Sequence, residues 1–311
     1  ESYNDSPAEL IYDEFENILF KDSSLGHNIL GTAEQVRSFT TEDALRFTRK
    51  LYRPDNAIFF AYGDIDFKKL VKLVGRALAD DDSGKLAAGI LPQISQITQI
   101  SWNENSIAEE KSVKSVGPKN YPSAGEEIAG QTIVMQKNTH QAHVMIGTRA
   151  YDVNDDRRMP LYLLNNILGG PGMNAKLNLA LREHNGLVYT VESTMVAYGD
   201  TGTWSIYFGC DEHDIKRCLR LVRKELDRMM EKPLSDSQLK AAKKQIKGQI
   251  GVACDNRENF ALDFGKSFLH YGWEKNVDCL YEQVEAITSQ QIQDVARELF
   301  DKDRLITLIF K

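Results

Sequence analysis

The chain has 311 residues, 42% hydrophobic and 27% charged, which is long enough for two domains that each bury a sizeable core. A net charge of -7 and a pI near 5.5 argue against a general nucleic-acid or anionic-membrane surface, and no apolar run approaches the roughly 18 residues of a membrane span. The four cysteines form no Cys-x-x-Cys pair and read as free buried thiols rather than a disulfide framework.

The sequence opens at Glu1 without a methionine or a signal-type apolar segment. The natural N-terminus is therefore expected upstream, and the compartment is unknown. Asp13, Glu14 and Glu16 read as the solvated face of an early helix, and Asp80-Asp81-Asp82 as a solvated loop. Between them begins an internal repeat. Glu34-Gln-Val-Arg-Ser-Phe-Thr-Thr-Glu-Asp, running on to Leu51-Tyr-Arg-Pro-Asp-Asn-Ala-Ile58, aligns without a gap with Glu282-Gln-Val-Glu-Ala-Ile-Thr-Ser-Gln-Gln, running on to Leu299-Phe-Asp-Lys-Asp-Arg-Leu-Ile306. Thr40-x-x-Asp43 and Thr288-x-x-Gln291 are capping boxes at matching positions. Each opens a helix that ends near an aromatic, Tyr52 or Phe300. A turn through Asp55 or Asp303 then leads to an apolar strand, Ile58 to Tyr62 or Leu305 to Phe310.

The stretch from Leu91 to Gly130, polar and carrying Pro92, Pro118 and Pro122, reads as an inter-domain linker. Beyond it the second copy has a full set of elements. Strands are predicted over Gln131 to Met135 and Ala142 to Thr148, and a helix over Arg157 to Leu168 with Pro160 in its first turn. A hairpin of Tyr189 to Val196 and Gly202 to Gly209 turns at Gly199-Asp200. An amphipathic helix over Asp214 to Met230 follows, and then a long helix capped by Ser235-x-x-Gln238. Lys240, Lys243, Lys244 and Lys247 share a face of that helix and read as a solvated stripe.

The densest signal is Leu168-Gly-Gly-Pro-Gly-Met-Asn-Ala-Lys-Leu-Asn-Leu-Ala-Leu-Arg-Glu-His-Asn-Gly-Leu-Val-Tyr189. Gly169, Gly170 and Gly172 permit positive φ and close approach by another backbone. Asn174 is expected to cap the next helix. Leu177 and Leu181 face the core, with Asn178 and Arg182 on the other side, and Asn185-Gly186 ends the helix. Arg182 and Tyr189 are then both within reach of a cleft beside the sheet.

Metal and nucleophile motifs are missing. The six histidines (His27, His140, His143, His184, His213, His270) form no His-x-x-Glu-His. His140 and His143 fall at a strand entry on opposite faces and read as surface or turn histidines. There is no Gly-x-Ser-x-Gly elbow, and the Gly169 loop lacks the Gly-Lys-Ser/Thr ending of a phosphate loop.

The glycine loop with its Arg182…Tyr189 frame resembles the second, non-catalytic half of pitrilysin/insulinase-type zinc peptidases, especially their mitochondrial-processing-peptidase-like branch. Ser2-Tyr-Asn-Asp-Ser-Pro-Ala-Glu9 and Ser24-Leu-Gly-His-Asn-Ile-Leu-Gly-Thr32 resemble family segments that follow the third zinc ligand. The resemblance implies an α+β fold of two homologous domains, each a mostly antiparallel sheet covered by helices. The first would be present only as its C-terminal half, residues 1–90, with a linker over 91–130 and a complete second, inactive domain over 131–311. It also implies that Arg182, Tyr189, Gly169, Gly170 and Gly172 contact an extended peptide or unfolded protein. In that register Tyr162, Asn165 and Asn166 occupy the His, Glu and His positions of the zinc helix, and neutral amides neither ligate zinc well nor act as general bases. No catalytic residue and no metal site are expected in this chain; zinc is expected in the full-length parent. Expected partners are peptide substrate and the missing N-terminal half-domain, with homo- or heterodimers open. Lys176, Asn178 and Pro171 depart from commoner family residues and leave substrate preference open. The alternative is a non-catalytic partner or scaffold subunit of the same fold.

Overall fold

A computed structural model describes residues 6–53, 56–61, 63–79, 128–272 and 276–311. Of the linker expected over 91–130, residues 91–127 lie outside these residues, as does the Asp80–Asp82 run. The described residues fall into two compact units. One takes 6–32, 128–250 and 277–311; the other takes those of 33–79 and 251–276.

The first unit is built on a five-stranded sheet of β1 (Thr132–Met135), β2 (Ala142–Ala150), β3 (Val188–Ala197), β4 (Gly202–Cys210) and β5 (Ile306–Phe310). Their order is β1-β5-β2-β4-β3; the β1–β5 pair is parallel and the other three pairs are antiparallel. The alternation read from the sequence sorts the side chains onto two faces. Val144, Ile146, Trp204, Ile206, Phe208 and Ile309 lie on one face, all buried. That face is covered by α5 (Arg158–Gly169), α6 (Ile215–Glu231) and α10 (Ser289–Leu299), with Trp204 and Phe300 packed at 4.4 Å.

The other face carries Met145, Tyr207, Ile306, Leu308 and Phe310. These form a core with Leu10, Ile11, Phe15 and Leu19 of α1 (Pro7–Leu19) and with Phe20. Pro7 stands in the first helical turn, where its missing N–H costs nothing. At the other end Arg149 donates from Nε (3.1 Å) and Nη2 (2.9 Å) to the free Leu19 carbonyl. Tyr198 donates to Glu16 at 2.7 Å, so this carboxylate, expected on a solvated face, instead helps dock α1.

The second unit holds α2 (Ala33–Ser38), α3 (Thr41–Leu51), α4 (Phe67–Ala79) and α8 (Arg257–Tyr271). Both capping boxes form. The Asp43 amide donates to Thr40 Oγ1 at 3.3 Å, and the Gln291 amide to Thr288 Oγ1 at 3.2 Å. The residues that follow differ. β5 pairs with β1 and β2, whereas 58–61, expected as a strand, have no ladder partner among the described residues and form none. Phe60 packs on Phe264 at 5.0 Å instead. Val295, Leu299 and Phe300 are 2%, 1% and 0% exposed, whereas their repeat counterparts Phe47, Leu51 and Tyr52 are 55%, 36% and 76% exposed.

Each repeat runs through a leading helix, a short helix, the capping-box helix and then a strand or its counterpart. In the second copy these are α8, α9 (Val277–Ala286), α10 and β5. The leading helices are exchanged between units: α1 belongs with the second copy's sheet, and α8 with the first copy's helices. The lysine stripe is on α7 (Asp236–Asp255). It is not wholly solvated, because Lys243 and Lys247 donate to the Glu285 carbonyl and carboxylate of α9 at 2.5 and 3.1 Å. Cys210 and Cys218 are free and buried as expected, but Cys279 is exposed.

Candidate functional site

The glycine loop leaves the end of α5 and crosses tightly over β3. A Cβ on Gly169 would lie 2.5 Å from the Ser193 amide nitrogen, and one on Gly170 would lie 2.7 Å from the Asn166 carbonyl oxygen. Close approach is thus the use made of these glycines, and the approaching backbone is the chain's own. None of Gly169, Gly170 and Gly172 has positive φ, contrary to the freedom expected of them. Gly169 is the last residue of α5 and Gly170 is extended at φ -66°, ψ 175°, with Pro171 next, so the crossing needs no positive φ.

Asn174 does not cap the following helix. Its Nδ2 donates to Gln245 Oε1 of α7 at 2.9 Å, tying the loop to that helix. The next turn, Asn178–Glu183, is π-helical, with the His184 amide bonded to the Leu179 carbonyl at 3.0 Å. Leu177 and Leu181 are buried as expected. Asn178, expected on the open side, is buried too, and donates to the Met173 carbonyl at 2.9 Å. The wider turn explains this, since it no longer separates positions at the α-helical spacing. Gly186 closes the turn at φ +61°, with its amide on the Arg182 carbonyl at 2.7 Å.

This turn delivers Arg182 to the start of β3. Its guanidinium lies 6.0 Å from the centre of the Tyr189 ring, so the two residues are brought together. Glu183 lies 3.8 Å from the arginine Nε. Tyr189 is 84% exposed. It owes that exposure to a β-bulge: Val188 pairs with Cys210 and Val191 with Phe208, so β3 holds one residue more than β4 across this step. The bulge turns Tyr189 and Thr190 out, and both are exposed. β3 pairs with β4 on one side only and is an edge of the described sheet.

Further along β3, Glu192 accepts from the Tyr12 hydroxyl of α1 at 2.5 Å and pairs across strands with Tyr207. The Tyr12 and Tyr207 rings are 5.5 Å apart. Burial raises the Tyr12 phenol and so does its bond to Glu192; burial, then the nearby Glu192 charge, pushes Tyr207 up to about 12. Both are neutral phenols at neutral pH. His143 is not a surface histidine: it is half-buried, stacked on Tyr207 with Nδ1 2.9 Å from the hydroxyl, and burial lowers its pKa. Glu192, Tyr12 and Tyr207 carry no motif. Tyr12 lies 180 residues from its partner, so sequence spacing gives no signal for it.

On α5, Asn165 and Asn166, expected at two of the three zinc-helix positions, are held by neutral polar partners. Asn165 exchanges bonds with Ser193, donating to its carbonyl at 3.0 Å and accepting from its hydroxyl at 2.5 Å. Asn166 donates to Gln249 of α7 at 2.6 Å. Zinc does not fit Asn165 and Asn166, neutral amides already committed to Ser193 and Gln249. The trio Asp211, His213 and Asp214, on the turn after β4, lies close enough together to hold an ion, but it is largely exposed.

Residues 38–246 match the family model described as the peptidase M16 inactive domain. The chain belongs to this family. Its relatives include an uncharacterized zinc protease of Streptomyces coelicolor, 28% identical over 98% of this chain and 61% of the relative. The uncharacterized zinc protease YmxG of Bacillus subtilis is 25% identical over 99% of this chain and 66% of the relative. The chain thus spans under two thirds of the length of these relatives. Among solved structures, a protease from Helicobacter pylori superposes with a TM-score of 0.76 at 17% identity, over 98% of this chain and 67% of that one. An M16 inactive-domain protein from Pseudomonas fluorescens superposes with a TM-score of 0.68, also at 17% identity, over 99% of this chain and 67% of that one. These structures share the α+β fold expected of this chain. Its mostly antiparallel, helix-covered sheet is the M16 architecture.

Proposed function

We propose that this chain is the non-zinc-binding portion of a zinc metalloendopeptidase, forming a wall of its peptide chamber and gripping the substrate. The observation that carries this reading is the joining of Arg182 and Tyr189 at the bulged, unpaired edge of β3. An extended peptide adds to that edge through main-chain hydrogen bonds. The guanidinium and phenol donate to its carbonyl oxygens, and Gly169, Gly170 and Gly172 keep the loop low enough for the peptide to pass. On this reading the C-terminal half of the first domain runs over 1–90 and the complete second domain over 131–311, with a linker over 91–130 between them. The missing half of the first, bearing the zinc, is the natural cover for the apolar faces of α3. Partners are therefore that half-domain and an unfolded peptide, and zinc belongs to the parent protein.

Two measurements test this. Elemental analysis of the chain alone should find no stoichiometric zinc, and one tightly held zinc per chain would overturn the assignment. In the parent protein, Arg182→Ala should lower kcat/KM on an unstructured peptide by about tenfold or more, the loss of a charged hydrogen bond. Unaltered turnover would favour a scaffold role.

A further inference from the structure

One helix fixes the glycine loop at both of its ends. At the start Asn166, in the last turn of α5, donates from Nδ2 to Gln249 Oε1 at 2.6 Å; at the far end Asn174 donates to Gln245 Oε1 at 2.9 Å. The two glutamines stand four residues apart on α7 and so share a face of it. Roughly 200° round that helix, Lys243 and Lys247 bond to Glu285 of α9 at 2.5 and 3.1 Å and anchor its other side. The loop glycines make room for these amides. A Cβ on Gly172 would lie 2.8 Å from Gln245 Nε2, and one on Gly170 2.7 Å from Asn166 Nδ2. Between the two tethers Pro171 and Met173 are exposed. The Met173 carbonyl accepts at 2.9 Å from Asn178, on the π turn that carries Arg182. A loop held at its ends and open in its middle is built for preorganised binding rather than for filling a core.

We propose that Gln245 and Gln249 are positioning residues of the peptide-binding edge: by bracketing the glycine loop they hold it at the height over β3 at which an extended peptide is received. The proposal rests on the reading of β3, with Arg182 and Tyr189, as that edge. The glutamines act through the loop and not by touching the peptide. They set the fraction of molecules whose loop is seated, and apparent affinity falls in proportion to that fraction. Each tether is a neutral hydrogen bond, so losing both should matter more than losing either.

Fluorescence anisotropy tests this with the 311-residue chain and a labelled, unstructured Ala/Ser/Gly peptide. Gln245→Met with Gln249→Met keeps side-chain length and helix propensity but removes both acceptors, and should weaken binding about tenfold. Gln245→Glu with Gln249→Glu keeps an acceptor for each asparagine and should bind within about threefold of the unaltered chain. Hydrogen exchange adds a readout that general destabilisation does not imitate. The Ala175 amide, bonded to the Gly172 carbonyl at 3.0 Å, should lose protection in the methionine variant while the amides of α10 keep theirs. Undiminished binding by the methionine variant, a glutamate variant as weak as it, or equal loss of protection at Ala175 and α10 would each overturn the proposal. The doubly substituted Arg182→Ala, Tyr189→Ala chain separates the two ideas. If it binds weakly while the methionine variant binds in full, the edge stands and the positioning role falls. If it binds as the unaltered chain does, or if the unaltered chain does not bind the peptide, the edge reading falls, and the positioning role with it.

Discussion

At Gly169 the chain has almost no freedom to vary. A methyl group there would meet the Ser193 amide nitrogen at 2.5 Å and its Cβ at 2.7 Å, both on a strand pinned by β4 and by Asn165. Gly169→Ala should destabilise the first unit by about 1–3 kcal/mol, an overpacking cost, read by urea denaturation followed through Trp204 fluorescence. A neutral result would mean that the loop yields easily and does not fix the edge. His143 gives a second prediction. Burial lowers its pKa below 6.5, so the unfolded chain takes up that proton first as pH falls. Its contribution is therefore absent above the ordinary imidazole pKa, and destabilisation appears as pH drops through that value towards the lower folded one. His143→Gln should flatten the pH dependence of Tm in this window. A dependence unchanged by the substitution would assign it to other groups.

Among the elements, what was legible is what is local. Both capping boxes formed because each needs only residues three apart, and the hairpin of β3 and β4 because alternation and Gly199-Asp200 are contiguous in sequence. What failed depends on distant partners. Ile58 to Ala61 has the composition of a strand, yet a strand exists only as part of a ladder. Arg182 and Tyr189 could be named from their frame, but the π turn and the bulge that bring them together have no sequence signature. The role of α1 was invisible for the same reason: its apolar residues 10, 11, 15 and 19 say that it docks, not that it docks on a sheet more than a hundred residues away. Phe15 is 2% exposed in that core. Phe15→Ala should cost the first unit about 3–5 kcal/mol in urea unfolding. A loss below about 1 kcal/mol would show that α1 is a loose appendage.

Across the whole chain, the exchange of leading helices means that neither unit is a contiguous stretch of sequence, and that the duplication and the packing follow different boundaries. The two units also differ in how well they satisfy the same sequence logic. α10 and α3 share a capping box and an apolar stripe, so their local propensities are alike; only burial separates them. Protection from hydrogen exchange therefore isolates the tertiary term. Amides of α10, behind Val295, Leu299 and Phe300, should exchange only through opening of the sheet core. Those of α3, whose Phe47 and Tyr52 are open to solvent, should exchange through cheap local unfolding, orders of magnitude faster. Equal protection of the two helices would mean that the α3 face is covered in solution, by self-association if protection rises with protein concentration. If α3 exchanges fast, the proposed N-terminal half-domain, added as a separate chain, should slow α3 alone, because α10 already has its sheet.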